Sequence, residues 1–568
     1  MSTAPTDLAF GRPRAAGRQP DRLKIGALIA GALVLVGYPL LDLLRSALSG
    51  PGGPLGAWRA IAAHPVATAL THTVVVSACA TAIASGLGVA MALLVARSDL
   101  PFRRWFAGAW VAPLIVPAYV TGVAWLDAYT SAGLSDHVAH LAANWLGGPV
   151  GVVLLLGLQG APLAYLLVLA ALRSAHIGSL EEAARSAGRS PFGVLVDVTL
   201  PLVKSAIFGG ILLVFVSSAS DFGIPAVLAI PAGFSTVTTL IYSDLSFAGG
   251  PNAISSAGAL SGLLGVVAIV LLIATSRAAR PRGDGGATRS RGGTARPLIA
   301  LGRLRPFAAV GCLLFVVVTT IVPLAALFLT SVSPAFVLVI SPAHWVASAY
   351  AAALSGENVA ALGRSALLAA SAGAVVALGG AFVALLIRRS SRLTSAAAAL
   401  LSLPFALPGS VVAIAVLIAW QRWLYGTLLI ILLAYVARFA VIGVRTSVGT
   451  LGALSEDLIA AARVSGASTR RATRDVVFPA LMPGIVTSFA ITFLFGMHEL
   501  TMSSLLAGPS TRTFAVEVLA AEEAGEVALT AALAIVVTVI TVVVAGAALA
   551  VRSSRSLVAA DIGLEVPA

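Results

Sequence analysis

The sequence predicts an all-α protein that crosses a membrane about twelve times, in two tandem halves of six spans each. Of the 568 residues, 59% are hydrophobic and only 10% are charged, and the mean hydropathy is +0.99. Soluble domains carry roughly 25% charged residues. So much apolar surface cannot be buried in a globular core, which favours lipid as the solvent. The net charge of +13 comes from arginines in short gaps between apolar runs, which argues against a nucleic-acid partner.

Twelve apolar runs are long enough to cross about 30 Å of hydrocarbon. The first six lie near 25–45, 70–96, 105–127, 149–172, 205–228 and 255–275, and the second six near 306–330, 365–387, 397–419, 424–444, 484–507 and 528–551. The first run follows a basic stretch, as in a secretory signal, but its full length and the lack of a clear A-x-A-type site favour a retained span. Cys79 and Cys312 lie within apolar runs and are interpreted as small core residues.

Arginines collect in alternate gaps between the runs, and Arg364, Arg422 and Arg512 are the mild exceptions. Because positive residues stay in the cytoplasm, both termini are predicted to be cytoplasmic. A Gly- and Arg-rich stretch between the halves is interpreted as a disordered cytoplasmic linker. The predicted domains are the tail 1–24, the first half 25–275, the linker 276–305, the second half 306–551 and the tail 552–568.

A polar segment occurs twice. The stretch EEAARSAGRSPFGVLVDVTLP runs from Glu181 to Pro201, and IAAARVSGASTRRATRDVVFP runs from Ile459 to Pro479. They align without gaps at an offset of 278, with eight of 21 positions identical. The halves are therefore interpreted as tandem copies in the same orientation. Two equivalent surfaces predict two equivalent partner surfaces, or one dimeric partner.

Each copy of the segment, 179–201 or 457–479, predicts a short surface helix. Ser179 with Glu182 forms a capping-box pattern at the helix start, and Asp457 occupies the corresponding cap position. Gly188 or Gly466 then ends the helix. An amphipathic loop lying on the membrane interface is the alternative for a single copy, but the gapless repeat argues against it.

The pattern E-A-A-x-x-x-G, followed about a dozen residues later by L-P, resembles permease subunits of bacterial ATP-binding-cassette importers of type I. In that family the segment is a coupling helix that docks on a cytoplasmic ATPase. The second copy departs from the pattern at Ala460 and Phe478, yet is still expected to dock. The residues to which the resemblance assigns this role are Glu182, Ala183, Ala184, Gly188, Pro201, Ala461, Ala462, Gly466 and Pro479.

The resemblance covers nearly the whole chain and is greatest to fused permeases of the ferric-iron type. The segments SSASDFGIPAVLAIPAGFSTVTTLIYSDL and FGMHELTMSSLLAGPSTRTFAVEVL carry it. The same branch includes permeases for thiamine, phosphonates and polyamines. It implies alternating access, a partner ATPase dimer that uses ATP and Mg, and an extracytoplasmic substrate-binding protein. The sequence contains no G-x-x-x-x-G-K-[ST] motif, so ATP hydrolysis is predicted in the partner, with neither cofactor nor metal site in this chain.

Two carboxylates and two prolines are candidates for the translocation path. The repeat pairs Asp221 with Glu499, and a carboxylate within a span is a functional candidate by default. Oxygen ligands also suit a hard cation. The alternative is that each carboxylate lies near the outer end of its span and is hydrated or bonded to backbone. Pro117 and Pro408 are expected either to kink their spans or to expose carbonyls to the path.

Two further residues bear on the alternatives. His498 is interpreted as a packing or hydrogen-bonding residue, because one His makes no metal site. An ion-coupled secondary transporter is the rival from another class. Arg438 is the one clear charge near mid-membrane that would suit this rival, which does not explain the repeated segment.

Overall fold

The computed structural model describes residues 22–48, 64–131, 133–173, 175–248, 251–278, 298–334, 338–387 and 392–561. Within these ranges the regular structure is helical, and the β-pairing is an isolated parallel bridge between Ser98 and Ile299. Residues 1–21 of the predicted tail 1–24 and residues 279–297 of the predicted linker 276–305 lie outside the described residues. The domain boundaries therefore stay a prediction.

Nine helices of the described residues are long and apolar enough to cross a membrane. Two bent helix pairs add spans three and nine, and a shorter apolar helix, Ser256–Val270, lies where the sixth span is predicted. These elements occupy the positions of the twelve predicted runs. The nine helices are Leu23–Leu48, Pro65–Arg97, Pro149–Leu172, Pro191–Ser220, Gly302–Val332, Gly356–Ile387, Leu428–Gly452, Thr469–His498 and Val527–Ala547.

Spans three and nine are broken, whereas each was predicted as one uninterrupted run. Span three joins Arg103–Leu114 to Ala118–Ala139 at 100°, and span nine joins Arg392–Ala406 to Gly409–Leu424 at 114°. The residue at the break is Pro117 or Pro408, each with ψ near 145°. Proline has no N–H to donate and disfavours helical backbone in the residue before it. The prolines therefore end one helix and start the next.

Spans five and eleven begin on the polar segments themselves, so the predicted bounds 205–228 and 484–507 are wrong at both ends. Each continuous helix contains a π-helical turn, Leu195–Thr199 or Thr473–Val477, that ends two residues before Pro201 or Pro479. The wider turn accommodates a ring that would otherwise clash with the preceding turn of an α-helix. The second part of each polar segment, from Pro191 or Thr469 onward, is therefore continuous with its span.

Both spans also end earlier in the chain than predicted. Span five ends at Ser220 and span eleven at His498. A short helix follows each, Gly223–Leu228 or Thr501–Leu506. Hydropathy merged each short helix with its span because both are apolar.

The two halves interlock through their first spans. Span one, from the first half, packs against both helices of span nine in the second half, and span seven packs against span three in return. Val36 and Leu43 of span one belong to the same buried cluster as Leu401 and Val411. This reciprocal exchange gives the pair of halves one shared core.

The two cysteines differ in burial. Cys312 is buried as predicted, but Cys79 is exposed on the helix Pro65–Arg97. The prediction for Cys79 was wrong because an apolar residue of a span need not face the protein core. The exposed Val74 and Val75 on the same helix show a face of the kind that lipid covers.

Candidate docking helices and membrane path

The repeated segments form two short surface helices, here called the first loop helix, Ala175–Ser186, and the second loop helix, Glu456–Val464. Both end in a Schellman motif. Gly188 N donates to Arg185 O at 2.9 Å and Arg189 N to Ala184 O at 3.1 Å. The second helix repeats these bonds at an offset of 278, from Gly466 N at 3.1 Å and from Ala467 N at 3.0 Å.

The glycine at each helix end has left-handed backbone. Gly188 has φ +84° and Gly466 has φ +85°, a region that costs side-chain-bearing residues roughly 1 kcal/mol. This confirms that these glycines end the helices. A Cβ built on either one meets no atom of the chain within 4 Å. The space beside each glycine is therefore open to another molecule.

The next turn is also equivalent in the two copies. Ser190 Oγ accepts from Gly193 N at 3.1 Å, and Ser468 Oγ accepts from Arg471 N at 3.3 Å. Each serine thereby caps the helix that runs into span five or eleven. The repeated sequence thus encodes a repeated backbone: helix, glycine turn, serine cap and span.

The predicted starts of both loop helices were wrong. The first loop helix begins at Ala175, so Ser179 lies inside it and is not its cap. In the second copy the cap is Ser455, whose Oγ accepts from Asp457 N at 3.2 Å. A capping pattern is local, and a helix extends beyond it where the preceding residues are compatible with helix.

Most residues assigned to docking are exposed. Glu182, Ala183, Gly188, Ala461 and Gly466 are exposed, as are both prolines, whereas the two remaining alanines are half-buried. Large apolar side chains are exposed beside them. Small residues next to uncovered apolar ones make a surface that another protein can approach closely. The exposed apolar side chains are Phe192 (74%), Leu458 (55%) and Val464 (89%).

The first loop helix is fixed to the spans by a buried polar cluster that sequence reasoning missed. Glu181 Oε1 accepts from Arg97 Nε at 2.8 Å and from Thr199 Oγ1 at 2.7 Å. Arg97 also donates from Nη2 to the carbonyl of Leu172, the last residue of span four, at 2.6 Å. We call Arg97, Glu181 and Thr199 the polar latch; each is at most 2% exposed.

The sequence offered only a weak signal for the latch. Glu181 stands beside Glu182, which carries the family pattern, and the two look alike in the sequence. In the structure Glu182 is exposed while Glu181 points inward. Arg97 lies just beyond the predicted run 70–96 but is the last residue of the helix His64–Arg97.

The second loop helix has an apolar contact at the same place. Ile459 and Val477 stand at the positions of Glu181 and Thr199. Val477 is buried with Leu451 and Leu481, and Ile459 packs against this cluster. Dispersion and burial thus replace the ion pair and hydrogen bonds of the first copy.

Asp221 and Glu499 occupy equivalent positions and form equivalent hydrogen bonds to the backbone. Asp221 Oδ1 accepts from Ile224 N and Glu499 Oε1 from Met502 N, both at 2.9 Å. Each carboxylate therefore holds the start of the short helix that follows its span. They lie near enough to interact electrostatically, and Arg438 interacts with Glu499. The repeat thus brings together the two predicted carboxylates, each with one oxygen bonded to backbone.

The carbonyls at the broken spans are bonded by interior side chains. Gln159 Nε2 donates to Pro113 O at 2.9 Å and to Val116 O at 3.1 Å. Arg438 Nη1 donates to Leu407 O at 2.6 Å. An amide in one half and a guanidinium in the other therefore satisfy equivalent groups that helix breaks leave without partners inside a membrane.

His498 agrees with its interpretation as a hydrogen-bonding residue, since its Nε2 is bonded to Thr541 Oγ1. In the part of the chain that the structure describes, no group of three His, Cys, Asp or Glu side chains could hold a metal ion. A role of the two carboxylates in the path stays a prediction.

Carboxylates gather at the ends of the spans that lie away from the loop helices along the chain. Asp127 of span three interacts electrostatically with Glu522, and Tyr242 donates to Glu523 Oε1 at 3.2 Å. Burial raises the pKa of Glu522 and of Glu523 above the ordinary value for glutamate. Arg512 interacts electrostatically with Glu523, so this end of the molecule carries a guanidinium among its carboxylates.

The repeat has a counterpart among known proteins. The model of the family described as "binding-protein-dependent transport system inner membrane component" matches residues 84–280 and 376–556. The two matches fall in the two halves and cover more than half of the chain. The chain belongs to this family. It is thus a multi-pass inner-membrane component of a transporter, with the permease domain present twice.

Long relatives match both halves. The Fe(3+)-transport system permease protein of Haemophilus influenzae is 27% identical over 463 residues, which is 80% of this chain and 84% of the relative. A ferric transport system permease protein of Actinobacillus pleuropneumoniae is 24% identical over 89% of this chain and 75% of its own length. A probable molybdenum permease of Haloferax volcanii is 31% identical over 37% of this chain and 81% of its own length.

Proposed function

We propose that the chain is the fused permease of an ATP-driven importer, and that its two loop helices are the coupling helices on which two copies of an ATPase dock. The observation that carries this proposal is the repeated backbone, in which equivalent hydrogen bonds end both helices. A dimeric partner with two equal grooves requires such a pair. Both loop helices then lie in the cytoplasm, together with the two termini.

The transport cycle follows from the connection between loop helix and span. Closure of the ATPases on ATP moves both loop helices, and the continuous helices Pro191–Ser220 and Thr469–His498 carry that motion into the membrane. The two halves rock, and the path opens to a substrate-binding protein on the outer face. Hydrolysis resets the inward-facing state.

Ferric iron is the cargo that we propose. The two relatives that match most of the chain are named for it, whereas the molybdenum relative matches 37% of the chain. The carboxylates of Asp221 and Glu499 also suit a hard cation, which prefers oxygen ligands. Thiamine, a phosphonate and a polyamine are the competing cargoes.

The test begins with the partner. The tagged chain is solubilised in mild detergent from its own host, and the proteins that co-purify are identified by mass spectrometry. A P-loop ATPase at about two copies per chain is expected. A chain that stays alone under crosslinking would contradict the importer and favour an ion-coupled secondary transporter.

The cargo is tested on the same complex in proteoliposomes. Uptake of radioactive ferric iron should depend on ATP and on a cognate binding protein. An excess of unlabelled thiamine, phosphonate or putrescine should leave it unchanged. Uptake of one of these in place of iron would keep the importer and replace the cargo.

A further inference from the structure

The polar latch joins more parts of the molecule than any other described ion pair near a loop helix. Its three side chains come from the end of span two, the first loop helix and the π-helical turn that leads into span five. The bond from Arg97 to Leu172 O adds the end of span four. Movement of the first loop helix away from any of these elements must break a buried charge-assisted bond.

The latch also reaches the second half through the backbone of Arg97. The Arg97 carbonyl accepts from Leu298 N and Ile299 N, both at 2.9 Å. The next residue pair extends this contact, since Leu301 N donates to Asp99 Oδ1 at 2.8 Å. These residues lie just before span seven, the first span of the second half. The first loop helix is thereby tied to the entry of the other half.

The second loop helix has aliphatic residues at the two positions that match Glu181 and Thr199. Ile459 and Val477 contribute apolar contacts with Leu451 and Leu481. Apolar contacts have no preferred angle and survive small shifts, whereas a hydrogen-bonded ion pair weakens steeply as its geometry changes. The two copies therefore share a backbone but have different kinds of contact at these matching positions.

We propose that Arg97, Glu181 and Thr199 are positioning residues that make the first loop helix a rigid transmitter of ATPase motion. The inference rests on the proposed function and names the side chains that carry motion from its first docking site. Force from this site moves spans two, four and five together with the start of the second half.

The main variant makes the first copy apolar, like the second: Arg97→Leu, Glu181→Ile and Thr199→Val together. Removing every charge of a buried cluster is often neutral for stability, so this variant should fold, whereas replacing Arg97 or Glu181 alone leaves an unpaired charge. It is purified with its ATPase and reconstituted with the binding protein. The readout is cargo transported per ATP hydrolysed, at equal amounts of assembled complex.

The expected result is that transport per ATP falls about threefold to tenfold while ATP hydrolysis continues. A purely structural role would lower the amount or thermal stability of the complex but leave that ratio unchanged, and this result would overturn the proposal. Thr199→Val keeps the volume of threonine without its hydroxyl, and Thr199→Ser keeps the hydroxyl without the methyl group. The serine variant keeps the hydroxyl and should keep the ratio, whereas the valine variant should lower it.

The outcomes separate the latch from the function on which it rests. If the unaltered chain binds no ATPase, both the importer and the latch are overturned. If the unaltered complex couples hydrolysis to transport and the apolar variant couples equally well, only the latch is overturned. An equal ratio in the valine and serine variants would count against the hydroxyl of Thr199 as part of it.

Discussion

The two loop helices have one backbone and two kinds of attachment. The first is fixed by an ion pair and a hydroxyl, all but excluded from solvent, and the second by Ile459 and Val477 in an apolar cluster. Duplication explains the shared glycine turn and serine cap. The difference teaches that a duplicated backbone can be supported by contacts of different kinds, because the backbone turn depends on local sequence and the contact behind it depends on the side chains that the fold brings together.

The comparison is tested most strongly by truncating each attachment. Glu181→Ala leaves Arg97 buried without its partner, which should lower the free energy of unfolding by about 3–5 kcal/mol. Ile459→Ala removes a half-buried aliphatic side chain and should cost about 1–2 kcal/mol, less than the 2–5 kcal/mol of a fully buried isoleucine. Thermal unfolding in detergent measures both. Equal losses would show that the ion pair holds no more strongly than the apolar contact.

The helix crossings behind the loop helices also differ between the halves. A Cβ on Gly443 would lie 2.0 Å from the carbonyl oxygen of Val376, whereas one on Gly88 would lie no closer than 2.7 Å to Ala164 Cβ and to the backbone nitrogen of Tyr165. Gly443→Ala should therefore destabilise by about 3 kcal/mol and Gly88→Ala by about 1–2 kcal/mol. Gly449→Ala is the control in the same span as Gly443, because its Cβ meets nothing within 4 Å. It should stabilise slightly, since alanine favours helix.

The docking surfaces themselves are compared by adding bulk to matched small residues. Ala183→Leu and Ala461→Leu alter exposed positions at the 278 offset, so neither should change thermal stability measurably. Each should lower ATP-dependent transport about tenfold, equivalent to about 1.4 kcal/mol, by holding the ATPase away. Loss of transport in the first variant alone would mean that the second loop helix does not dock.

The smallest effect is expected where the family pattern itself differs. Glu182→Ala gives the first copy the residue that the second has at Ala460. Glu182 is exposed, so the free energy of unfolding should change by less than about 0.5 kcal/mol. A chemical-denaturation midpoint shows this. A change as large as that of Glu181→Ala would mean that Glu182 stabilises the fold as much as Glu181 does.

Much of this protein was readable in its sequence because the signals were local or repeated. Hydropathy placed the apolar runs, since about 20 apolar residues must cross the membrane whatever they pack against. The gapless offset predicted the equivalent glycine turns at Gly188 and Gly466, because a left-handed backbone conformation depends on the local residues and not on distant ones. The pairing of Asp221 with Glu499 followed from the same offset.

Tertiary structure decided what depends on residues distant in the chain. Which of Glu181 and Glu182 faces inward is set by Arg97 and Thr199, which no local pattern connects to them. The breaks at Pro117 and Pro408 became sharp bends because Gln159 and Arg438 satisfy the freed carbonyls from other spans. The sequence by itself thus determined the spans, the duplication and the surface helices. Tertiary packing decided that Arg97, Glu181 and Thr199 form one buried cluster. A buried ion pair exists only where the fold brings its partners together.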